Sequence, residues 1–501
     1  MESPTKRLRA SLSLDEPAHD DRDKFAQLYE ASQKSGVLLP NADTNAAEAS
    51  VSDDDDSDNW DVPTRLSRWL TANGAELDKL RIETYAPEVR GVHAKKPFSS
   101  GDRVMLIPRN CLITVEMGKA TEIGQKLLPL QFAAPKHVFL MMFLLTDMEL
   151  GNDSFFKPYY DSLPATLGNL PIFWTEEELG WLQGSHILQQ IEDRKAAIRR
   201  DYETICAVDP TFARFTLERF SWARMIVCSR NFGITIDGVK TAALVPYADM
   251  LNHYRPRETS WTFDDDADGF TITALRGIAS GSQVYDSYGK KCNHRFLLNY
   301  GFAVQDNTEE DGRNPNEVLM PLQLMENEAP ALFAKKQRYL HDSGVYTMHT
   351  RFSTCHGDAD TREGLSFLRL IVATESEFDT FSVQTPAHAI PPVSLANESR
   401  ALKHIAALAT VQLFQYATTL DQDEASVGTY PLFANRTQAL FFMMGEKRVC
   451  HFYQSMAYDV VPLLQQPPDV IQATVAEKYE PEDDAKSRYV DDVTAFLLGE
   501  A

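Results

Sequence analysis

Residues 244–302 read LVPYADMLNHYRPRETSWTFDDDADGFTITALRGIASGSQVYDSYGKKCNHRFLLNYGF, and this stretch decides the fold. Asp249, Asn252 and His253 are set in an apolar run, followed later by Val284-Tyr285-Asp286-Ser287-Tyr288-Gly289, Asn293 and Tyr300-Gly301-Phe302. Polar side chains embedded in apolar strands need hydrogen-bond partners, so the run is either a site or a buried network. Gly269–Leu275 reads as a short strand, and the turn Ser280-Gly281-Ser282 leads into another that ends at Tyr285. The Asp264–Gly269 run has a superficial likeness to a calcium loop. It lacks the twelfth-position carboxylate and the helix-loop-helix setting, so an exposed hairpin loop is expected.

Composition narrows the function classes. The 501 residues, 43% hydrophobic with 27 Phe and 18 Tyr, suffice for two or three domains. A net charge of −23 and a pI near 5.0 leave no basic excess to displace counterions, so direct nucleic-acid binding is not expected. The same balance suits a basic peptide substrate. Six cysteines at 111, 206, 228, 292, 355 and 450 contain no CxxC pair, so neither a metal site nor a disulfide framework is expected. No apolar run is long enough to span a bilayer, and no membrane association is expected. The early acids Glu2, Asp15, Glu16 and Asp20 and the lack of an apolar leader core argue against a secretory or transit peptide.

Residues 1–61 are polar, with Lys6-Arg7-Leu8-Arg9 near one end and the acidic run 53–58 near the other, and are expected to be disordered. The basic patch reads as an import signal or as a chance cluster, so cytoplasmic residence, nuclear residence or both are expected. From Pro63 the chain is periodic: Leu66, Trp69 and Leu70 share a helical face that stops at Asn73-Gly74. A Gly-containing segment, Val89–Ala94, precedes the turn Ser100-Gly101-Asp102 and a strand Val104–Ile107 ended by Pro108. Residues 119–222 read as helical, with segments Lys126–Leu130, His137–Met148, Glu176–Ile198 and Thr216–Cys228. The aromatic connection Phe155–Leu170, containing FKPYYDSLP, interrupts them, and Trp222 reads as core. Ser229-Arg230-Asn231-Phe232 closes the last of these helices before a strand at Thr241–Pro246; Arg230 alone could simply be a C-terminal helix cation. From Val318 onward helices are expected at Pro330–Ser343, Gly364–Glu375, Ala396–Leu420, Tyr430–Gly445 and Lys447–Leu464. Thr418–Asp423 reads as a helix end passing into an acidic loop, and the charged tail Glu477–Asp492 reads as surface.

The ordered set D-x-x-N-H, strand, G-x-x-V-Y-x-x-Y-G and N-x-x-x-L-x-x-Y-G-F resembles the catalytic half of SET-domain protein methyltransferases. The match is to the subgroup named for the Rubisco large-subunit lysine methyltransferase, which also includes the actin histidine methyltransferase. The resemblance covers roughly residues 62 to 465 and is densest at 217–306 and 404–455. It implies an α+β fold: a SET-domain β-fold with a knot-like core, split by a helical insertion and followed by an all-helical C-terminal substrate-binding domain. The implied segments are 62–118 and 223–317 for the two parts of the SET domain, 119–222 for the insertion and 318–501 for the C-terminal domain. In the last, Tyr416 opens a Y-x-T-T-x-x-x-D segment, and Asn435-Arg436 and a Gly445-Glu446-Lys447 turn follow.

The resemblance also implies S-adenosylmethionine as cofactor. Its binding residues would be Arg90, Gly91, His93, Glu116, Arg230, Asp249, Asn252, His253, Tyr288 and Phe302. Val89 stands where the family usually has a second glycine, and Glu116 reads equally well as a helix-start acid. Tyr288, Asn252, Phe232 and Asp286 would surround the transferring methyl group, with Asn293 and Tyr300 completing the pocket. Methyl transfer from a sulfonium is an in-line displacement, and it needs a neutral nitrogen, an aligned path and exclusion of water. A lysine amine, with pKa near 10.4, is mostly protonated at neutral pH, and an aromatic channel disfavours that charge. A tyrosine with pKa near 10 aligns better than it abstracts protons.

The actin histidine enzyme carries an Asn two positions after its arginine, a Trp before the motif aspartate and an aliphatic residue two before the tyrosine. Here those places hold Phe232, Ala248 and Asp286, and a carboxylate suits an ammonium. The expected function is therefore a protein-lysine N-methyltransferase acting, as a monomer, on a histone or non-histone protein. Protein-histidine methylation of actin and a catalytically silent protein-binding module are the alternatives.

Overall fold

Among the described residues, short β-branched and aromatic runs build four small sheets, and long apolar runs build the helices that cover them. The computed structural model describes residues 61–86, 89–325, 328–355, 357–382, 385–478 and 485–498. The segment 1–60, expected to be disordered, lies outside them.

The first sheet has the order β1-β2-β10-β7, from β1 (Leu80–Ala86), β2 (Val89–Ala94), β10 (Gln283–Asp286) and β7 (Asn252–His253). β2 is antiparallel to β1 and β10, whereas β7 and β10 run parallel with Tyr285 opposite Asn252 and Asp286 opposite His253. Strands far apart in sequence thus meet side by side, and this crossing is the knot-like core that the resemblance implied. A second sheet, β3-β9-β8, joins β3 (Arg103–Pro108), β9 (Gly269–Ala274) and β8 (Thr259–Asp264). A third, β4-β6-β5, joins β4 (Ile113–Thr114), β6 (Val239–Leu244) and β5 (Asn231–Ile236). The 264–269 run is the β8–β9 hairpin loop, as expected: the Asp264 carboxylate accepts from the backbone N–H groups of Asp266 and Ala267. Asp268 is held by Arg109.

The insertion is helical, with one correction. The expected helix Glu176–Ile198 is two helices, Glu176–Gly180 and Ile187–Val208. The break holds Gly184 at φ +88°, where a Cβ would lie 2.5 Å from the Gln415 carbonyl oxygen. The helix Leu217–Arg230 runs across the expected boundary at 222 and ends on Arg230 itself. Trp222 is core, as expected, and its indole donates to the Pro164 carbonyl at 3.0 Å.

The C-terminal domain is not all helical. β11 (Glu317–Leu322) and β12 (Met348–Ser353) form an antiparallel pair with Val318 opposite Phe352. Val318, Met320 and Leu322 are buried at every second position, a period-two signature that the helical expectation overlooked. Gly445-Glu446-Lys447 is no turn: it lies inside one helix, Asn435–Leu464. Gly445 is needed for close approach, since a Cβ there would lie 2.7 Å from Asn316 Nδ2. Thr418–Asp423 is not a helix end fading into a loop. Thr419 caps a new short helix, Leu420–Ala425, and Asp423 is buried against Lys447. The tail is not purely surface either, because Tyr489 and Val490 are buried and the Tyr489 hydroxyl reaches the Glu398 carboxylate.

The long helix also joins this domain to the catalytic half. Glu446 accepts from Ser185 of the insertion at 2.9 Å and from Tyr416 at 3.0 Å. Gln438 accepts from the Ala303 N–H at 2.9 Å, and Asn435 donates to Glu178 at 2.7 Å.

Candidate active site

The candidate site lies where β7 runs beside β10. Tyr247, held at φ +72°, turns the buried chain sharply into the single helical turn Ala248–Met250, which delivers Asn252 and His253 to the sheet. The Asn252 amide donates to the Arg90 carbonyl at 2.9 Å and to Gln283 Oε1 at 2.6 Å, linking β7 to both β2 and β10. Gly91 leaves room for this junction: a Cβ there would lie 2.4 Å from the Tyr85 hydroxyl and 2.5 Å from Gln283 Oε1.

Tyr288 follows β10 directly. Its backbone N–H donates to His253 Nδ1 at 3.0 Å, and its hydroxyl donates to the Leu251 carbonyl at 2.8 Å. Nδ1 accepts, so the imidazole proton belongs on Nε2. Burial, with Arg255 and Lys291 adding to it, pushes the His253 pKa down to about 3, and the ring is neutral at physiological pH. Burial and then Asp286 push the Tyr288 phenol well above its ordinary value, so it stays protonated. Around the pair stand Tyr300, stacked 4.8 Å from Tyr288, and Phe302 and Phe296, stacked 4.9 Å from each other. Phe296 lies 4.8 Å and Phe302 6.0 Å from His253.

Arg230 enters from the end of its helix and donates to the Asp249 carboxylate at 3.1 Å and to the Asp249 carbonyl at 3.2 Å. Tyr159, from the FKPYYDSLP connection, donates to the same carboxylate at 2.9 Å. Burial works against the Arg230 charge and Asp249 works for it; the balance raises its pKa above the ordinary arginine value. Three buried polar atoms here have no protein partner among the described residues: Arg230 Nε, Asp249 Oδ1 and His253 Nε2. Buried polar atoms in this condition are expensive, and a polar ligand would satisfy them.

Asp286 is buried and accepts from the Ser287 N–H at 2.7 Å. Burial pushes its pKa up to about 6, opposed by Ser287, Arg257 and the Trp261 indole. Phe232, on β5, packs edge-on against Trp261 at 5.3 Å and Phe270 at 4.9 Å, so Phe232 and Asp286 both border Trp261.

Of the residues expected from sequence, Asn252, His253, Tyr288, Asp286, Arg230, Asp249, Phe302 and, through Trp261, Phe232 belong to this cluster. Arg90 and Gly91 reach it through the backbone of β2, while the Arg90 guanidinium holds the Ser162 carbonyl. Two do not join it. His93 bonds the Tyr85 hydroxyl at 2.6 Å and the Gly281 carbonyl at 2.9 Å, and Glu116 accepts from Thr241 at 2.9 Å. Asn293 is a third departure: its side chain bonds both the N–H and the carbonyl of Val304, pinning the segment between them rather than lining the pocket. Sequence reasoning passed over Gln283, Trp261 and Tyr159. Gln283 carried a usable signal, a lone polar residue two before Tyr285 in a buried strand.

A family model described as Rubisco LSMT substrate-binding matches residues 327–449. Actin-histidine N-methyltransferase of Canis lupus familiaris is 26% identical over 410 residues, covering 77% of this chain and 67% of the relative. That of Gallus gallus is 25% identical over 406 residues, covering 77% and 66%. The chain therefore spans about two thirds of the length of these curated relatives. Among solved structures, the SET domain of LSMT bound to lysine and AdoHcy superposes with a TM-score of 0.66 at 22% identity, covering 82% of this chain and 95% of that one. Rubisco LSMT bound to AdoMet gives 0.65 at 23% identity, covering 81% and 94%.

Proposed function

We propose that the chain, with the fold of the LSMT SET domain and a Rubisco LSMT substrate-binding region, is an S-adenosylmethionine-dependent protein methyltransferase acting on a lysine side chain. One observation carries the reading: Tyr288 is clamped at the strand crossing by His253 Nδ1 through its N–H and by the Leu251 carbonyl through its hydroxyl.

The residues fit the cofactor by the chemistry of their unsatisfied atoms. Arg230 Nε, Asp249 Oδ1 and His253 Nε2 form a mixed donor and acceptor set suited to a zwitterionic amino-acid group and a nucleobase. Asn252, Arg230 and His253 would hold it, with Phe302 and Phe296 as apolar walls. When bound, the sulfonium supplies the methyl group that is displaced. The chain's own part is to align, dry and neutralise. Tyr300, Phe302 and Phe296 exclude water and disfavour a charged amine. Tyr288 is held protonated and pointed by Leu251, so it orients and does not act as a base. Asp286, charged above about pH 6, would steer the incoming ammonium before it loses its proton.

Two lines of support divide on the acceptor. Phe232, Ala248 and Asp286 support lysine, because they replace the polar and indole groups of an imidazole-recognising site with an aromatic wall, a small residue and a carboxylate. The relatives' names support protein-histidine methylation, with actin as the substrate, and this is the second reading. Labelled methyl transfer into a lysate from cells lacking the protein, with products mapped by mass spectrometry, separates the two. Methyllysine is the expected product; 3-methylhistidine alone would establish the second reading, and no transfer at all would overturn both.

A further inference from the structure

We propose that Cys292, His294 and Glu317 form a binding site for one borderline divalent cation of the zinc class, at the seam between the catalytic half and the C-terminal domain. Cys292 precedes the helix Asn293–Tyr300 as its N-cap residue yet makes no capping hydrogen bond. His294 lies in the first turn of that helix, and Glu317 opens β11. One ligand atom from each lies within 4.8 Å of the others, and Cys292 Sγ is 3.4 Å from Glu317 Oε1. A tetrahedral ion with bonds of about 2.3 Å to sulfur and about 2.0–2.2 Å to nitrogen and oxygen sets its ligand atoms roughly 3.4–3.6 Å apart. Small side-chain rotations therefore close the set.

A second observation is independent of that spacing. Both ring nitrogens of His294 are buried and have no protein partner among the described residues. An imidazole sealed in this way forfeits a donor and an acceptor, a cost that a bound ion removes. Thiolate, imidazole and carboxylate together select zinc-like ions over calcium or magnesium, which prefer oxygen alone. The two anions would neutralise a dication, so the loaded site carries no net charge into a half-buried seam. Arg351 lies 3.3 Å from Glu317 Oε1 and would share the carboxylate through its second oxygen. A cavity of about 360 Å³ opens onto Cys292 and Glu317, giving the ion an entry path and room for a water as fourth ligand. Cys292 follows shortly after Tyr288, so an ion here would tie the loop carrying Tyr288 to β11.

The test uses full-length protein freed of metal by chelation and titrated with Co²⁺ alone. One Co²⁺ per chain is expected, with a thiolate-to-cobalt charge-transfer absorption that Zn²⁺ abolishes by displacement, and Zn²⁺ should raise the melting temperature. Cys292→Ser keeps a residue suited to the helix N-cap and should lose the absorption. His294→Gln and Glu317→Gln should each weaken binding by more than about 10-fold. These two variants carry the same test if Cys292→Ser fails to fold by circular dichroism. A charge-transfer band that survives in folded Cys292→Ser, or Co²⁺ binding equal in the native protein and in the His294→Gln and Glu317→Gln variants, would overturn the site.

Discussion

Replacing Asp286 by Asn separates what its carboxylate does for substrate recognition from what its charge costs the fold. Asp286 is 4% exposed, and burial raises its pKa from 3.8 to about 6. At 1.36 kcal/mol per pKa unit, carrying the charge at neutral pH costs the folded state about 3 kcal/mol. Asn keeps an oxygen for the Ser287 N–H but offers an amide N–H donor where the Trp261 indole needs an acceptor, a loss of about 1 kcal/mol. The variant should therefore be about 2 kcal/mol more stable near neutral pH. Because the folded pKa is raised, the native carboxyl contributes fully only below the unfolded value of 3.8, and that contribution is lost as pH rises through about 6. The variant lacks this slope. Its advantage in urea midpoint should be absent at acid pH, grow across the window from 3.8 to about 6 and level off above it. Transfer to a lysine peptide should fall at the same time, through a raised KM. A stability difference that is flat across that window would refute the electrostatic reasoning, and undiminished lysine transfer would refute the recognition role.

Tyr288→Phe removes the hydroxyl that bonds Leu251 while keeping the ring against Tyr300. Turnover should drop roughly 10²–10³-fold with cofactor affinity nearly unchanged by calorimetry; unchanged turnover would count against the alignment role. Asn252→Ala leaves Gln283 Oε1 and the Arg90 carbonyl without that donor. Cofactor binding should weaken roughly tenfold or more, and calorimetry showing native affinity would move the pocket elsewhere. Lys447→Met strands the buried Asp423 carboxylate, which should cost about 3–5 kcal/mol in urea unfolding, and pairing it with Asp423→Leu should restore most of the loss.

Much of the site was legible because its residues are adjacent in sequence or bound to a local turn. Asn252-His253 and Val284–Gly289 announce polar groups in a buried stretch, and short apolar runs bounded by turn residues marked β3, β9 and β10. Leu66 and Leu70 are fully buried on the helical face expected of them. The apolar alternation of Val318, Met320 and Leu322 lies inside the domain expected to be helical, and the turn that the resemblance implied at Gly445-Glu446-Lys447 is helix, with Gly445 packed close to Asn316, a partner distant in sequence.

The sequence alone marked the strands at 104–107, 241–246 and 269–275 and the one ending at Tyr285, and set polar residues among apolar ones; the family resemblance implied that Tyr288 and the Asn252-His253 pair share one site. Only the tertiary structure decided that β7 and β10 run parallel, that His253 Nδ1 receives the Tyr288 N–H, and that His93 and Glu116 turn to other partners. It alone also brought Cys292 and His294 to Glu317. The reason is that backbone periodicity is a local property, whereas hydrogen bonds and ligand sets form between side chains that only chain crossing brings within a few ångströms.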